Sequence, residues 1–245
     1  MVGPGGVSKL YSSHIPSTTL QKTAIAVVSA VGGVLDPERG DLIASLGEVT
    51  GLRSLKRLHH TMLMSEEGRL LLKDRPVINK EAVEAAGLGS LPEHTLGGAY
   101  SRFMSAHGFS PDSRTAVRFV DDPTLAYVML RYRQVHDIWH VLSGMPPTVE
   151  GEIALKWFEM VHAGLPVAAL SALGGPLGLD REGRARLASH LPWALRAGRR
   201  AVPLLGVHYE TRWQMPLEAV RNELRFEPVG AQLAAQEVHL KDLSC

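Results

Sequence analysis

The sequence predicts an all-α protein folded as a single compact helical domain, with a metal site between two consecutive helices. Three observations predict the fold. Apolar residues recur at three- and four-residue steps along the chain, alternating strand-like runs are few, and Pro/Gly turns punctuate the 245 residues without an internal repeat or a long linker. The run at 202–207 (VPLLGV) contains Pro and Gly and lacks clean alternation.

In chain order, helical spacing is expected over residues 20–34, 41–47, 52–63, 66–73 and 96–105. Turns at 89–92 (GSLP) and 109–112 (FSPD) separate them from the centre of the chain. There Asp122-Pro123 provides a start signal, and Gly144 followed by Pro146 and Pro147 provides a stop. Between these, Leu125, Val128, Met129, Tyr132, Val135, His136, Trp139 and His140 trace one helix face. Thr148 then caps a second helix carrying Ile153, Trp157, Met160 and Val161, which ends near Gly164-Leu165-Pro166. Two further helices are expected over 183–197 and 207–224, with Tyr209, Glu210 and Trp213 assigned to packing.

Composition narrows the function. Apolar residues at 45% and charged residues at 21% exclude disordered, collagen-like and coiled-coil classes. A formal charge of +1, from 26 basic and 25 acidic residues, argues against binding nucleic acid through a whole-domain basic field. The single cysteine, Cys245, excludes intrachain disulfides and thiolate metal clusters. No apolar run reaches the ~18 residues of a membrane span, and Met1 opens no signal-peptide layout. The first 35 residues hold Lys9 and Lys22 but no acid and are rich in Ser and Thr, a pattern close to an organellar presequence without its arginines. Shorter apolar stretches occupy 24–35 and 165–179. Behind the second, residues 181–212 hold seven arginines against Glu182 and Glu210, which suits either an anionic membrane surface or a solvated helix face.

The sharpest chemical signal is His136-Asp137-Ile-Trp-His140, then eleven residues, then Glu152. Side chains at i and i+4 of a helix stack one above the other, so both imidazoles can approach one ion. Asp137 lies close enough in sequence to join them, and Glu152 follows a Gly-Pro-Pro turn that folds it back over the histidines. Two imidazoles and two carboxylates suit zinc, manganese, iron or cobalt, and the absence of thiolates disfavours a purely structural zinc clip. A di-iron bundle would need two Glu-x-x-His copies, whereas only Glu159-Met-Val-His162 fits. A His-Asp phosphohydrolase would need an upstream His59 or His60 and a distant Asp. Ser143 lies in no nucleophile motif. Arg199 and Arg200, after Gly198, can clasp a carboxylate or phosphate or complement a helix C-terminus.

With this motif the chain resembles the family of the fourth coenzyme Q (ubiquinone) biosynthesis protein. Tyr11-Ser-Ser-His-Ile-Pro16, Gly47-Glu-Val-Thr-Gly51, Arg118-Phe-Val-Asp-Asp122, Arg131-Tyr-Arg133, Lys156-Trp-Phe-Glu159, Gly198-Arg-Arg-Ala201 and Tyr209-Glu-x-Arg-Trp213 are similar to its segments in the same order. The resemblance divides the chain into a flexible start at 1–10, a helical domain at 11–225 and a tail at 226–245. It implies metal ligation by His136, Asp137, His140 and Glu152, with zinc first and iron, manganese or cobalt as alternatives. On chemical grounds a loosely ligated Asp137 or Glu152 is the expected proton-transfer group. The resemblance further implies a metal-dependent C1 decarboxylase of a 4-hydroxy-3-methoxy-5-polyprenylbenzoate, either simple or oxidative and coupled to C1 hydroxylation, or else a non-catalytic lipid-binding scaffold. The implied location is peripheral, on the matrix side of the mitochondrial inner membrane. The expected partners are the polyprenylated hydroxybenzoate, other coenzyme Q biosynthesis proteins, the membrane surface and a second copy of the chain. Arg199 and Arg200 are the expected substrate-binding pair, and Leu170 and Leu177 the expected prenyl or membrane contacts.

Overall fold

The computed structural model describes residues 9–36 and 39–230. The expected flexible start therefore falls mostly, and the tail after residue 230 wholly, outside the described residues. Among the described residues there are eleven α-helices and no strand: α1 (Thr19–Leu35), α2 (Gly40–Thr50), α3 (Leu52–Leu63), α4 (Glu66–Asp74), α5 (Lys80–Ala85), α6 (Leu96–Ala106), α7 (Pro123–Ser143), α8 (Val149–His162), α9 (Pro166–Gly174), α10 (Arg181–Arg200) and α11 (Leu217–Glu223). None is long and apolar enough to cross a membrane.

The central helices begin and end where the sequence signals stand. Asp122 caps α7 by accepting from the Thr124 and Leu125 amides, and Pro123 takes the first turn, where no amide donor is needed. Gly144 closes α7 at φ +70°, a left-handed conformation that favours glycine, and its N–H donates to the His140 carbonyl. Thr148 then caps α8 through the Gly151 amide.

α7 is buried on more than the single face its spacing predicts. Val128, Val135, Ile138, Trp139 and Leu142 are fully enclosed, and Arg131, Gln134, His136, Asp137 and His140 are buried as well. Charges in that position must be paired. Arg131 meets Glu210, Arg133 meets Glu48, and Asp137 meets Arg114. Glu48 also accepts from the Arg118 and Phe119 amides, tying the chain leading into α7 onto α2. α8 packs against α10 and α9, and α1 against α2.

The structure corrects the helix expected over 207–224. Pro216 stands just outside a helix start with ψ 134°, and only α11 forms after it. Upstream, Leu204–Gly206 and Tyr209–Thr211 are single 3-10 turns held by α7, since Arg131 donates to the Val207 carbonyl and to Glu210. Tyr209 and Trp213 are buried, in line with their packing role. The apolar stretch at 165–179 is helical, as α9 followed by a 3-10 turn at Gly175–Gly178. The packed body continues past 225: Phe226 is buried, and the Val229 amide donates to the Ser143 carbonyl.

Candidate metal centre

His136 and His140 project from adjacent turns of α7, and Glu152 projects toward them from the first turn of α8. The two Nε2 atoms lie 3.2 Å apart. Glu152 reaches one with each oxygen, Oε2 at 3.3 Å from His136 Nε2 and Oε1 at 3.1 Å from His140 Nε2. One donor atom from each residue falls within 4.8 Å of the others, a group able to hold a metal ion. An ion about 2.0–2.1 Å from each imidazole nitrogen places tetrahedral donors roughly 3.3 Å apart, so this separation fits.

Both rings are fixed from behind. His140 Nδ1 lies 2.9 Å from the Met145 carbonyl, which only accepts, so Nδ1 carries the proton and Nε2 keeps its lone pair for the site. The left-handed turn at Gly144 brings that carbonyl back over the ring. His136 Nδ1 lies 2.6 Å from Glu159 Oε1. Burial opposes ionising Glu159, but the Lys156 ammonium and His136 outweigh it and pull its carboxyl down to about 2, so an ionised acceptor faces Nδ1–H. Burial likewise opposes a charged Glu152; when the metal-free histidines are protonated, their hydrogen bonds and charge hold its carboxyl well below the usual carboxylate range.

Of the four ligands expected, the structure brings together three. The carboxylate of Asp137 is taken by Arg114, which donates Nε to Oδ2 at 3.2 Å and Nη2 to Oδ1. The Glu152 side chain is 41% exposed, so the donor group opens to solvent on that side. Phe103 stacks on His140 at 5.4 Å between centroids and continues through His107 to the half-exposed Phe109, giving an aromatic wall. On the α9 side, Gly175 packs against Ile153, next to Glu152; a Cβ there would come within 2.7 Å of Ile153 Cγ1. From this junction α9 and its following turn present Leu170, Leu173 and Leu177, the last two 72% and 79% exposed.

Arg199 and Arg200 are exposed at the far end of α10, where the Gly198 carbonyl accepts from His162 Nδ1 at the end of α8. Ten residues of helix separate His162 from Glu152, about 15 Å. The pair is therefore not gathered with the metal donors. A cavity of about 230 Å³, lined in part by Arg57, Met62, Trp139, His162 and Leu204, contains none of them either.

Sequence reasoning missed Tyr132, Lys156, Glu159 and Arg114. A signal for two of them existed, because Glu152, Lys156 and Glu159 recur at i, i+4 and i+7 on one face of α8. Nothing in the spacing marks Arg114, which arrives from a loop.

Residues 11–230 match the family described as coenzyme Q (ubiquinone) biosynthesis protein Coq4. The chain is 48% identical over 220 residues to the Bos taurus ubiquinone biosynthesis protein COQ4 homolog, mitochondrial, covering 89% of this chain and 83% of that protein. It is 46% identical over 220 residues to the Homo sapiens protein of the same name, with the same coverage. A crystal structure of a protein from Nostoc punctiforme shares the fold at TM-score 0.65 and 19% identity, over 82% of this chain and 97% of that one. With a family match over residues 11–230 and relatives 46–48% identical over most of its length, the chain belongs to the coenzyme Q (ubiquinone) biosynthesis protein Coq4 family.

Proposed function

We propose that this chain removes the C1 carboxyl group of a 4-hydroxy-3-methoxy-5-polyprenylbenzoate during ubiquinone biosynthesis, at a divalent metal centre held by His136, His140 and Glu152. The observation that carries the reading is the three-donor group itself: two tautomer-fixed imidazoles and a carboxylate, open on the Glu152 side. Three protein ligands with a free position is the arrangement of catalytic rather than structural zinc sites. Zinc is the first choice for this donor set, and iron, manganese or cobalt also suit it.

When bound, a divalent ion supplies Lewis-acid neutralisation of negative charge on substrate oxygen atoms. The chain does the rest. The Phe103 wall offers a flat apolar surface beside His140 for a phenolic ring. Breaking the bond from C1 to the carboxyl carbon releases CO2 and leaves an electron pair on C1, which a proton takes up. Glu152, exposed enough to exchange with water, and Asp137, once released from Arg114, are the carboxylates that can relay it. Arg114 is partly exposed, so an incoming substrate carboxylate can compete with Asp137 for its guanidinium.

Leu170, Leu173 and Leu177 provide the apolar ridge for the isoprenoid tail and the bilayer surface. Arg199 and Arg200, too far for the ring carboxylate, suit anionic headgroups. The proposed location is peripheral, on the matrix side of the mitochondrial inner membrane, among other coenzyme Q biosynthesis proteins. A scaffold reading draws on the exposed Val27, Val28 and Val31 of α1, an apolar stripe the site does not use.

The test is aerobic incubation of metal-loaded protein with a short-chain prenylated methoxy-hydroxybenzoate, followed by mass spectrometry, beside a folded His140→Ala variant. Carboxyl loss in the wild type alone supports the enzyme, and product mass separates replacement by a proton from hydroxylation at C1. No loss in either protein, with metal occupancy measured, leaves the scaffold.

A further inference from the structure

Behind His136, on the side away from Glu152, lies a group of charges that the donor set does not use. Glu159 is fully buried on α8, two turns beyond Glu152. Its Oε1 accepts from His136 Nδ1 at 2.6 Å. Its Oε2 accepts from Lys156 Nζ at 2.7 Å and from the Tyr132 hydroxyl. Lys156 Nζ also lies 3.5 Å from His136 Nδ1. An ammonium donates and never accepts, so that contact gives Nδ1–H no second acceptor, and Glu159 is left as the acceptor for all three donors.

A buried carboxylate is expensive unless its lone pairs are filled, and removing such a pair for packing alone would often be neutral. Here the arrangement does something packing does not. Neutral imidazole has two tautomers, and only the one protonated at Nδ1 leaves Nε2 free to face His140 and Glu152. From these contacts we infer that Glu159 is a positioning residue, which fixes the ring orientation and tautomer of His136 and is itself held by Tyr132 and Lys156. The inference rests on the metal-centre reading given above. It makes the site asymmetric: a main-chain carbonyl orients His140 and cannot be mutated away, whereas His136 depends on a side chain. Outer-shell partners of this kind are commonly worth about 10–100-fold in metal affinity.

The test compares wild type with Glu159→Ala and Glu159→Gln, with Tyr132→Phe as a variant that keeps the carboxylate. Zinc affinity is measured by competition with a chromophoric chelator, and the cobalt(II) spectrum reports coordination. In the metal-free proteins at alkaline pH, long-range proton–nitrogen NMR reads the His136 tautomer directly. Affinity should fall about 10–100-fold in Glu159→Ala and less in Glu159→Gln, which retains a neutral acceptor. The Nδ1–H tautomer should dominate in wild type and give way to a mixture in Glu159→Ala. Zinc affinities indistinguishable from wild type, or an unchanged His136 tautomer, would overturn the inference. Should Glu159→Ala fail to fold, Glu159→Gln decides through the affinity arm. If wild type itself binds no metal, the metal-centre reading fails, and the tautomer measurement still decides the role of Glu159.

Discussion

Replacing Glu210 with Ala tests how α7, the carrier of both histidines, is held. Arg131 has no exposed surface, donates to both Glu210 oxygens, at 2.5 and 2.8 Å, and gives one further bond to the Val207 carbonyl at 2.9 Å. Its Nε already lacks a protein partner. Truncating Glu210 therefore strands a buried guanidinium with a single acceptor, and breaking a buried pair from one side costs about 3–5 kcal/mol. The Glu210 side chain is 20% exposed, so water can reach the gap and the cost should sit near the lower end, about 3 kcal/mol. Against a typical total of about 5–15 kcal/mol, that is a large share. Urea unfolding of the metal-free protein, followed by far-ultraviolet circular dichroism, should show a lower midpoint with unchanged slope. The double variant Arg131→Met with Glu210→Leu should recover most of the loss, because it removes the charge along with its partner. A single-variant cost below about 1 kcal/mol, the range of exposed pairs, would refute the reasoning. So would a double variant no more stable than Glu210→Ala.

Zinc at about 100 times its dissociation constant should stabilise the fold by about 2.7 kcal/mol, seen as a rise in Tm that a chelator reverses and that His140→Ala abolishes. The combined Leu170→Glu and Leu177→Glu variant should lose binding to anionic vesicles in flotation, with helicity retained; undiminished flotation would remove these leucines from the membrane contact. His162 supplies a pH effect. Burial, partly offset by the Gly198 carbonyl, lowers its pKa, and its Nε2 accepts from the Leu204 amide, so the folded state holds it neutral. Below about pH 6.5 the unfolded chain takes up a proton that the folded chain resists, so stability should fall on acidification by up to about 1.4 kcal/mol per pH unit, with no contribution at higher pH. The pH dependence of the urea midpoint should be shallower in His162→Gln.

How much of this could be read beforehand depends on whether the determining interactions are local. Asp122-Pro123, Gly144 and Thr148 act on their own turns, and each cap stands where its residue type predicted. The i, i+4 pair of histidines is equally local, and Glu152 needed only one short turn to reach it. The 207–224 region was misread because a nonlocal interaction outweighed helical spacing: Arg131 draws Val207 and Glu210 onto α7. Asp137 shows the same limit at the site. Its place between the histidines speaks for ligation, yet Arg114, twenty-three residues upstream in an irregular segment, claims its carboxylate. Glu159 was read as half of a di-iron pattern; its place on the Glu152 face of α8 was legible, but its contact with His136, on another helix, was not.

The metal centre is tested most directly by X-ray absorption on zinc-loaded protein, with His140→Ala and Glu152→Ala measured beside it. The account predicts one tightly bound zinc per chain, a first shell of two imidazole nitrogens completed by oxygen donors, and loss of that shell in each variant. A zinc ion that binds equally well without His140 and Glu152, or a shell with no imidazole scattering, would contradict it.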